Sequence, residues 1–202
     1  MAKDPNYAKA YYNLGNLLSD QPERYAEAED AYRQAIAKDP NFAQAYSNLG
    51  ILLRKLGRYA EAEDVYRQAI AIDPNDAQAY NNLVILLRVT GREKEAIPLL
   101  EKMLEINAND FNSYLGIASI RKSIGEPVPE QMLEKARQLI PAEDWYNRAC
   151  LESVSGNADT AFEYLQKAAQ QKKFNPAWAW QDPDLQWIRG DPRFAEIVGK
   201  KA

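Results

Sequence analysis

Four asparagines share one offset. Asn13, Asn48, Asn82 and Asn147 each stand two residues after an aromatic, namely Tyr11, Tyr46, Tyr80 and Trp145. In an α-helix that offset is a rotation of about 200°, so each amide points away from the face its aromatic buries. Asparagine in mid-helix is unfavourable by up to about 0.7 kcal/mol relative to alanine. A series of them therefore needs a reason. A side-chain amide has both a donor and an acceptor and can pair with a peptide backbone as a neighbouring strand would. The other reading is that the amides bond across adjacent helices, and Asn13, Asn48 and Asn82 lie in near-copies of one another. Asn147, in a diverged stretch, favours the ligand.

The same face carries Asn16, Ile51, Arg54, Gln78, Ile85, Arg88 and Lys122, with Lys9, Lys55 and Leu115 nearby, and Gly116 interrupts the amide series. Net charge is −4, yet few acids oppose these cations. Such separation attracts an acidic segment or a terminal carboxylate. Without that charge, Ile51, Ile85 and Leu115 are the expected main contacts. Cys150 falls on this side too and reads as a small, partly covered thiol.

Other chemistries are poorly supplied. The chain has no histidine, which removes imidazole acid–base work, histidine-based nucleophiles and histidine-ligated zinc. One cysteine allows no internal disulfide and no thiolate cluster. There is no glycine-rich phosphate loop. The expectation is no catalytic residue, no metal and no cofactor: not an enzyme. The acidic balance argues against gripping nucleic-acid phosphates. No apolar run approaches the roughly 20 residues of a membrane span, and Met1 to Asn6 hold no apolar signal core. The expected location is cytoplasmic, with no membrane insertion.

The elements that position these residues repeat. Pro5, Pro40 and Pro74 each sit in Asp-Pro-Asn, at steps of 35 and 34 residues. Between them, Tyr46, Leu49, Gly50 and Leu53 follow one helical face, and Ala62, Val65, Tyr66, Ala69 and Ile70 another. Gly57 is placed for a left-handed cap between the two helices. A period near 34 residues predicts stacked helix pairs, none of which can bury its apolar face alone. The first pair lacks the turn glycine; Ser19 to Glu23 predict a wider turn outside both helices. Pro98 is expected beyond the first turn of its helix, costing a hydrogen bond. Pro129 is placed at a first helical position, opening a short helix that presents Leu133, Ala136 and Ile140. Trp145, Ala149, Gly156, Ala161, Leu165 and Ala168 restore the pattern. In the tail, Asp182-Pro183 and Asp191-Pro192 read as capped starts of short helices. Those helices are expected to lay Trp178, Trp180, Leu185, Trp187, Ile188, Phe194 and Ile197 on the last pair.

Tyr46, Leu49, Gly50, Gly57, Tyr59, Ala62, Tyr66, Ala69 and Pro74 match a known pattern: the chain resembles the tetratricopeptide repeat (TPR) family. The resemblance implies an all-α, right-handed α-solenoid of about five TPR helix pairs plus C-terminal capping helices. Units are expected at about 8–40, 41–74, 75–108, 109–141 and 142–174, making a 1–174 solenoid, with a cap at 175–202 like that closing bacterial TPR arrays. It implies a concave groove lined by Asn13, Asn16, Asn48, Ile51, Arg54, Gln78, Asn82, Ile85, Arg88, Lys122 and Asn147. The amide series is similar to the asparagine ladder of O-GlcNAc transferases. Asn16 and Asn48 fit the carboxylate clamp of chaperone-binding TPR domains, but Gln78 and Asn82 stand where that clamp is basic. Hsp70 or Hsp90 tails are therefore not the expected ligand. The expected function is a protein-interaction scaffold holding an extended, acidic peptide. The alternatives are a substrate-recruiting arm of a larger enzyme, or a homo-oligomer assembling through the uncapped N-terminal end.

Overall fold

The structure is a computed structural model that describes residues 5–171 and 174–200. It is all-α, with twelve α-helices and no strand among the described residues. In chain order these are α1 (Pro5–Leu18), α2 (Tyr25–Lys38), α3 (Ala43–Lys55), α4 (Tyr59–Ile72), α5 (Ala77–Val89) and α6 (Ile97–Ile106). Then come α7 (Phe111–Ser123), α8 (Glu130–Leu139), α9 (Trp145–Ser155), α10 (Ala158–Gln170), α11 (Pro176–Ala179) and α12 (Pro192–Val198). Contacts gather the chain into two compact units, Met1–Leu99 and Leu100–Ala202.

In the first unit α1 with α2, and α3 with α4, close on a ring lodged against a glycine. A methyl group added at Gly15 would lie 2.6 Å from the Tyr32 ring, and one at Gly50 only 2.4 Å from the Tyr66 ring. Both tyrosines are buried, with Ala28, Ala35, Ala62 and Ala69 keeping the helices close. Gly57 ends α3 at φ 74°, the left-handed conformation expected of it. The first pair turns instead through a 3-10 segment, Pro22–Arg24, which lies outside both helices as the sequence predicts. Pro98 corrects its expectation. A 3-10 turn at Glu93–Ala96 moves the helix start to Ile97, so Pro98 falls in the first turn, where the chain needs no N–H.

Successive pairs in this unit join along their second helices. α2 packs on α3, and α4 on α5. Arg58 holds Glu61 through Nη2 at 2.6 Å and reaches back to Glu29 through Nη1 at 2.6 Å. Arg92 repeats this one unit on, with Glu95 at 2.6 Å and Glu63 at 2.5 Å. The Arg92 hydrogen bond holds the Glu63 carboxyl below its ordinary range, against the opposing effect of burial.

In the second unit α7 pairs with α8, and α9 with α10. Pro129 is the N-cap residue of α8 rather than its first helical one, because its ψ of 128° is extended. The helix is short, as expected, and Ile140 lies just past its end, still buried. The tail packs as a cover. Leu185, Ile188, Phe194 and Val198 enter one core with Leu133, Cys150, Phe162 and Leu165. Asp182 and Asp191 cap their turns by accepting from the backbone N–H of Asp184 and Arg193. Two expectations fail here. Trp178 is 56% exposed, while its neighbour Ala179 takes the buried side of α11. Cys150 is fully buried, since Asp182 of the tail lies 3.8 Å from its sulfur.

Three outcomes follow from this packing. Gly50→Ala should destabilise the fold by about 1–3 kcal/mol in urea denaturation, because the Tyr66 ring must leave its seat. Phe194→Ala should cost about 3–5 kcal/mol and lower the melting temperature clearly, the tail core losing its largest fully buried ring. The third concerns acid. A carboxylate whose folded pKa is depressed adds stability that is present above its unfolded value and lost as pH falls through the folded one. The Arg92–Glu63 link should therefore weaken below about pH 4. Its effect should be small because the pair is partly exposed. Denaturant midpoints of the parent and Glu63→Gln, compared at pH 6 and pH 3, check this: the gap between the two should be narrower at pH 3 than at pH 6.

Candidate binding face of the first helices

The candidate residues of the first unit sit on α1, α3 and α5, and the structure joins several of them. Asn48 donates through Nδ2 to Asn16 Oδ1 at 2.8 Å and to the Tyr12 hydroxyl at 3.2 Å. Tyr32 reaches from α2 to donate to the same Asn16 oxygen at 2.9 Å. Burial pushes the Tyr32 phenol above its usual pKa, so this donor keeps its proton. Asn16, Tyr32 and Asn48 border a cavity of about 260 Å³ with Ser19, Asp20, Ile51 and Lys55 on its other sides. Here the amide does bond across adjacent helices. Asn13, by contrast, is exposed on α1, and Gln78 is exposed on α5.

One unit further on, the same arrangement lacks its partners. Asn82 takes the place of Asn48, but Ile51 stands where Asn16 would accept and Ser47 where Tyr12 would. Asn82 Nδ2 and Ser47 Oγ are buried with no hydrogen-bond partner among the described residues, and the buried Tyr66 hydroxyl has only the Arg54 guanidinium beside it. Leaving such an atom unpaired costs about 1–3 kcal/mol each. Burial raises the Tyr66 pKa, and the nearby Arg54 guanidinium opposes that rise. Arg54 makes no ion pair among the described residues, and Ile51, Arg54, Ile85 and Arg88 are all half-buried on this face.

In the second unit the candidates are spent within the fold. Lys122 Nζ donates to the carbonyls of Ser153 at 3.0 Å and Val154 at 2.7 Å, near the end of α9. It also lies 4.6 Å from the centre of the Trp187 ring. Burial lowers its pKa. Asn147 donates to Asp144 Oδ2 at 2.7 Å and so belongs to the start of α9. Leu115 is buried in the unit's core rather than open to a ligand. Gly116 breaks the amide series for a visible reason: Leu100 lies 3.3 Å from where a β-carbon would stand.

Sequence reasoning missed Tyr32 and Tyr66 as part of this face. The signal was present: the second helices carry tyrosine at this position in the first two pairs, but leucine at Leu133 and Leu165 in the last two.

Comparison with known proteins fits this architecture. Two family models of the tetratricopeptide repeat match, over residues 12–77 and 53–120. The chain belongs to the tetratricopeptide repeat family. PilF of Pseudomonas aeruginosa is similar in fold at a TM-score of 0.63 and 22% identity, over 93% of this chain and 83% of PilF. YrrB, described as a TPR protein with an unusual peptide-binding site, aligns at a TM-score of 0.56 and 25% identity, over 81% of this chain and 85% of YrrB. The first TPR of Spaghetti (RPAP3), solved with the HSP90 peptide SRMEEVD, aligns at 0.55 and 24%, over 61% of this chain and 99% of that one. No curated protein sequence matches. No helix of the described residues is long and apolar enough to cross a membrane.

The two amides should separate in their energetics. Asn48→Ala removes two hydrogen bonds from a satisfied network, leaving Asn16 Oδ1 only its bond from Tyr32, and should lower stability by about 0.5–1.5 kcal/mol. Asn82→Ala removes an unpaired buried donor and a poor helix former, and should raise the melting temperature or leave it unchanged. Thermal denaturation of the two variants checks the contrast.

Proposed function

We propose that this chain is a protein-interaction scaffold that holds an extended acidic peptide against α3 and α5. The observation that carries this reading is the buried, unpaired Asn82 Nδ2 and Ser47 Oγ, with the Tyr66 hydroxyl and Arg54 beside them. Asn82 itself is half-exposed, so turning its amide about the last side-chain torsion brings the nitrogen outward. A peptide carbonyl can then accept from it, and its partner oxygen can accept from the next peptide N–H. Arg54 adds a charge that favours carboxylate side chains on the same peptide. Ile51 and Ile85 supply apolar contact on either side. The family's general role in protein interaction and the peptide-binding site described for YrrB support the same reading.

Binding of fluorescent, unstructured decapeptides of acidic, neutral and basic composition tests it. Acidic peptides should bind best. Their affinity should fall as salt shortens the Debye length from about 10 Å toward 3 Å. Asn82→Ala and Arg54→Ala should each weaken binding by roughly 1 kcal/mol or more while the fold stays intact. Equal affinity for all three compositions, or affinity indifferent to salt, sinks the acidic preference. Unchanged binding in both variants removes the site.

A further inference from the structure

Equivalent positions on the first helices are covered differently in the two units. Six residues before the turn glycines Gly57, Gly91, Gly125 and Gly156 stand Ile51, Ile85, Ser119 and Cys150. The two isoleucines of the first unit are half-buried, whereas Ser119 and Cys150 are 0% and 1% exposed. Three residues before Gly57 and Gly125 stand Arg54 and Lys122. Arg54 makes no ion pair among the described residues, while Lys122 is spent on two carbonyls and an indole.

The cover in the second unit is the chain's own tail. The Asp182 carboxylate accepts from the Tyr146 hydroxyl at 2.8 Å and lies on the Cys150 sulfur. Leu185 is fully buried in the core that holds Leu115 and Cys150. Trp187 lies against the Lys122 ammonium, a cation–π contact. The 3-10 turn Pro183–Leu185 packs on α9 and reaches on to α7. Closing the last pair needs contact with α9 and α10 only, and α12 already packs on α10. Residues 182–187 do more: they cross from α9 back to α7. They also have the make-up of a peptide ligand, with carboxylates at Asp182 and Asp184, an apolar anchor at Leu185 and an aromatic at Trp187.

We propose that residues 182–187 are a tethered ligand of the α7 and α9 face, a second peptide site that the chain holds shut. The external ligand of that site is a peptide of the same make-up: an acidic residue, then leucine, then an aromatic. Its carboxylate takes the Tyr146 hydroxyl, its leucine the pocket of Leu185, and its aromatic ring the Lys122 ammonium. A tethered segment competes at an effective concentration on the order of millimolar. The site is therefore self-inhibited, and a free peptide gains access only as the tail's own contacts weaken.

The probe is a fluorescent peptide of residues 181–190, read by anisotropy against the whole protein. All proteins carry Asn82→Ala and Arg54→Ala, so that α3 and α5 contribute nothing. With the tail intact, binding should be weak. Trp187→Ala, at a half-buried position, should tighten binding of the free peptide by about tenfold or more. Adding Lys122→Met should remove that gain. In the Trp187→Ala protein, Tyr146→Phe should weaken the peptide that carries Asp182 and leave one carrying Asp182→Ala unchanged, since the two changes remove the same bond. Should circular dichroism show that Trp187→Ala loses the fold, Asp182→Asn, which keeps a capping oxygen, takes its place with the same expected gain. Equal affinity for the intact and the weakened tail, no binding to either, a gain that survives Lys122→Met, or no coupling between Tyr146 and Asp182 overturns the proposal and leaves the tail a cap alone. None of these results touches the peptide site on α3 and α5, which Asn82 and Arg54 report separately in the protein with its tail unaltered.

Discussion

The seat of a tyrosine ring on a bare glycine backbone governs the first unit. Gly15 and Gly50 let Tyr32 and Tyr66 approach so closely that one methyl group would collide with the ring. That contact fixes the rotation of each first helix about its axis. Once it is fixed, the residues two positions before and after the glycine have no choice of direction. Asn48 and Asn82 are turned toward the opposite face because Gly50 and Val84 are turned toward the core. The same ring carries a hydroxyl across to that face. The contact that builds the core therefore also supplies a polar group to the surface the helices share.

The charged links between pairs act differently. Arg58 and Arg92 are partly exposed, and isolated pairs of this kind add little stability. What they contribute is register. Each guanidinium is clamped to a glutamate of its own helix before it reaches the preceding one, so less side-chain freedom is lost on contact. The reaching nitrogen thus works as a gauge of where the neighbouring helix must lie.

Much of this was legible in the sequence. The repeat located the helices, because Asp-Pro steps and apolar spacing are local signals. Turn chemistry was legible at Gly57, Asp182 and Asp191, where one side chain or one φ angle decides the outcome. Pro98 was misread because the sequence does not announce that a 3-10 turn delays the helix. The site was legible only as a face. Spacing put Asn48 and Lys122 on helices, but their partners come from other helices and from the tail. Asn48 finds Asn16, while Lys122 finds two carbonyls and an indole. Such pairings depend on which side chain the next helix brings, which helical periodicity cannot report.

The burial of Cys150 has a practical side. Its thiol is sealed at the junction of α9 and the tail, next to Asp182, and burial pushes its pKa well up. A thiol so placed is inert while the tail is seated. Chemical labelling must wait for that segment to lift, and where reseating outruns labelling, the observed rate is the intrinsic rate scaled by the open fraction. With one cysteine in the chain, no second thiol blurs the reading. The molecule carries its own clock for the local opening of its C-terminal end.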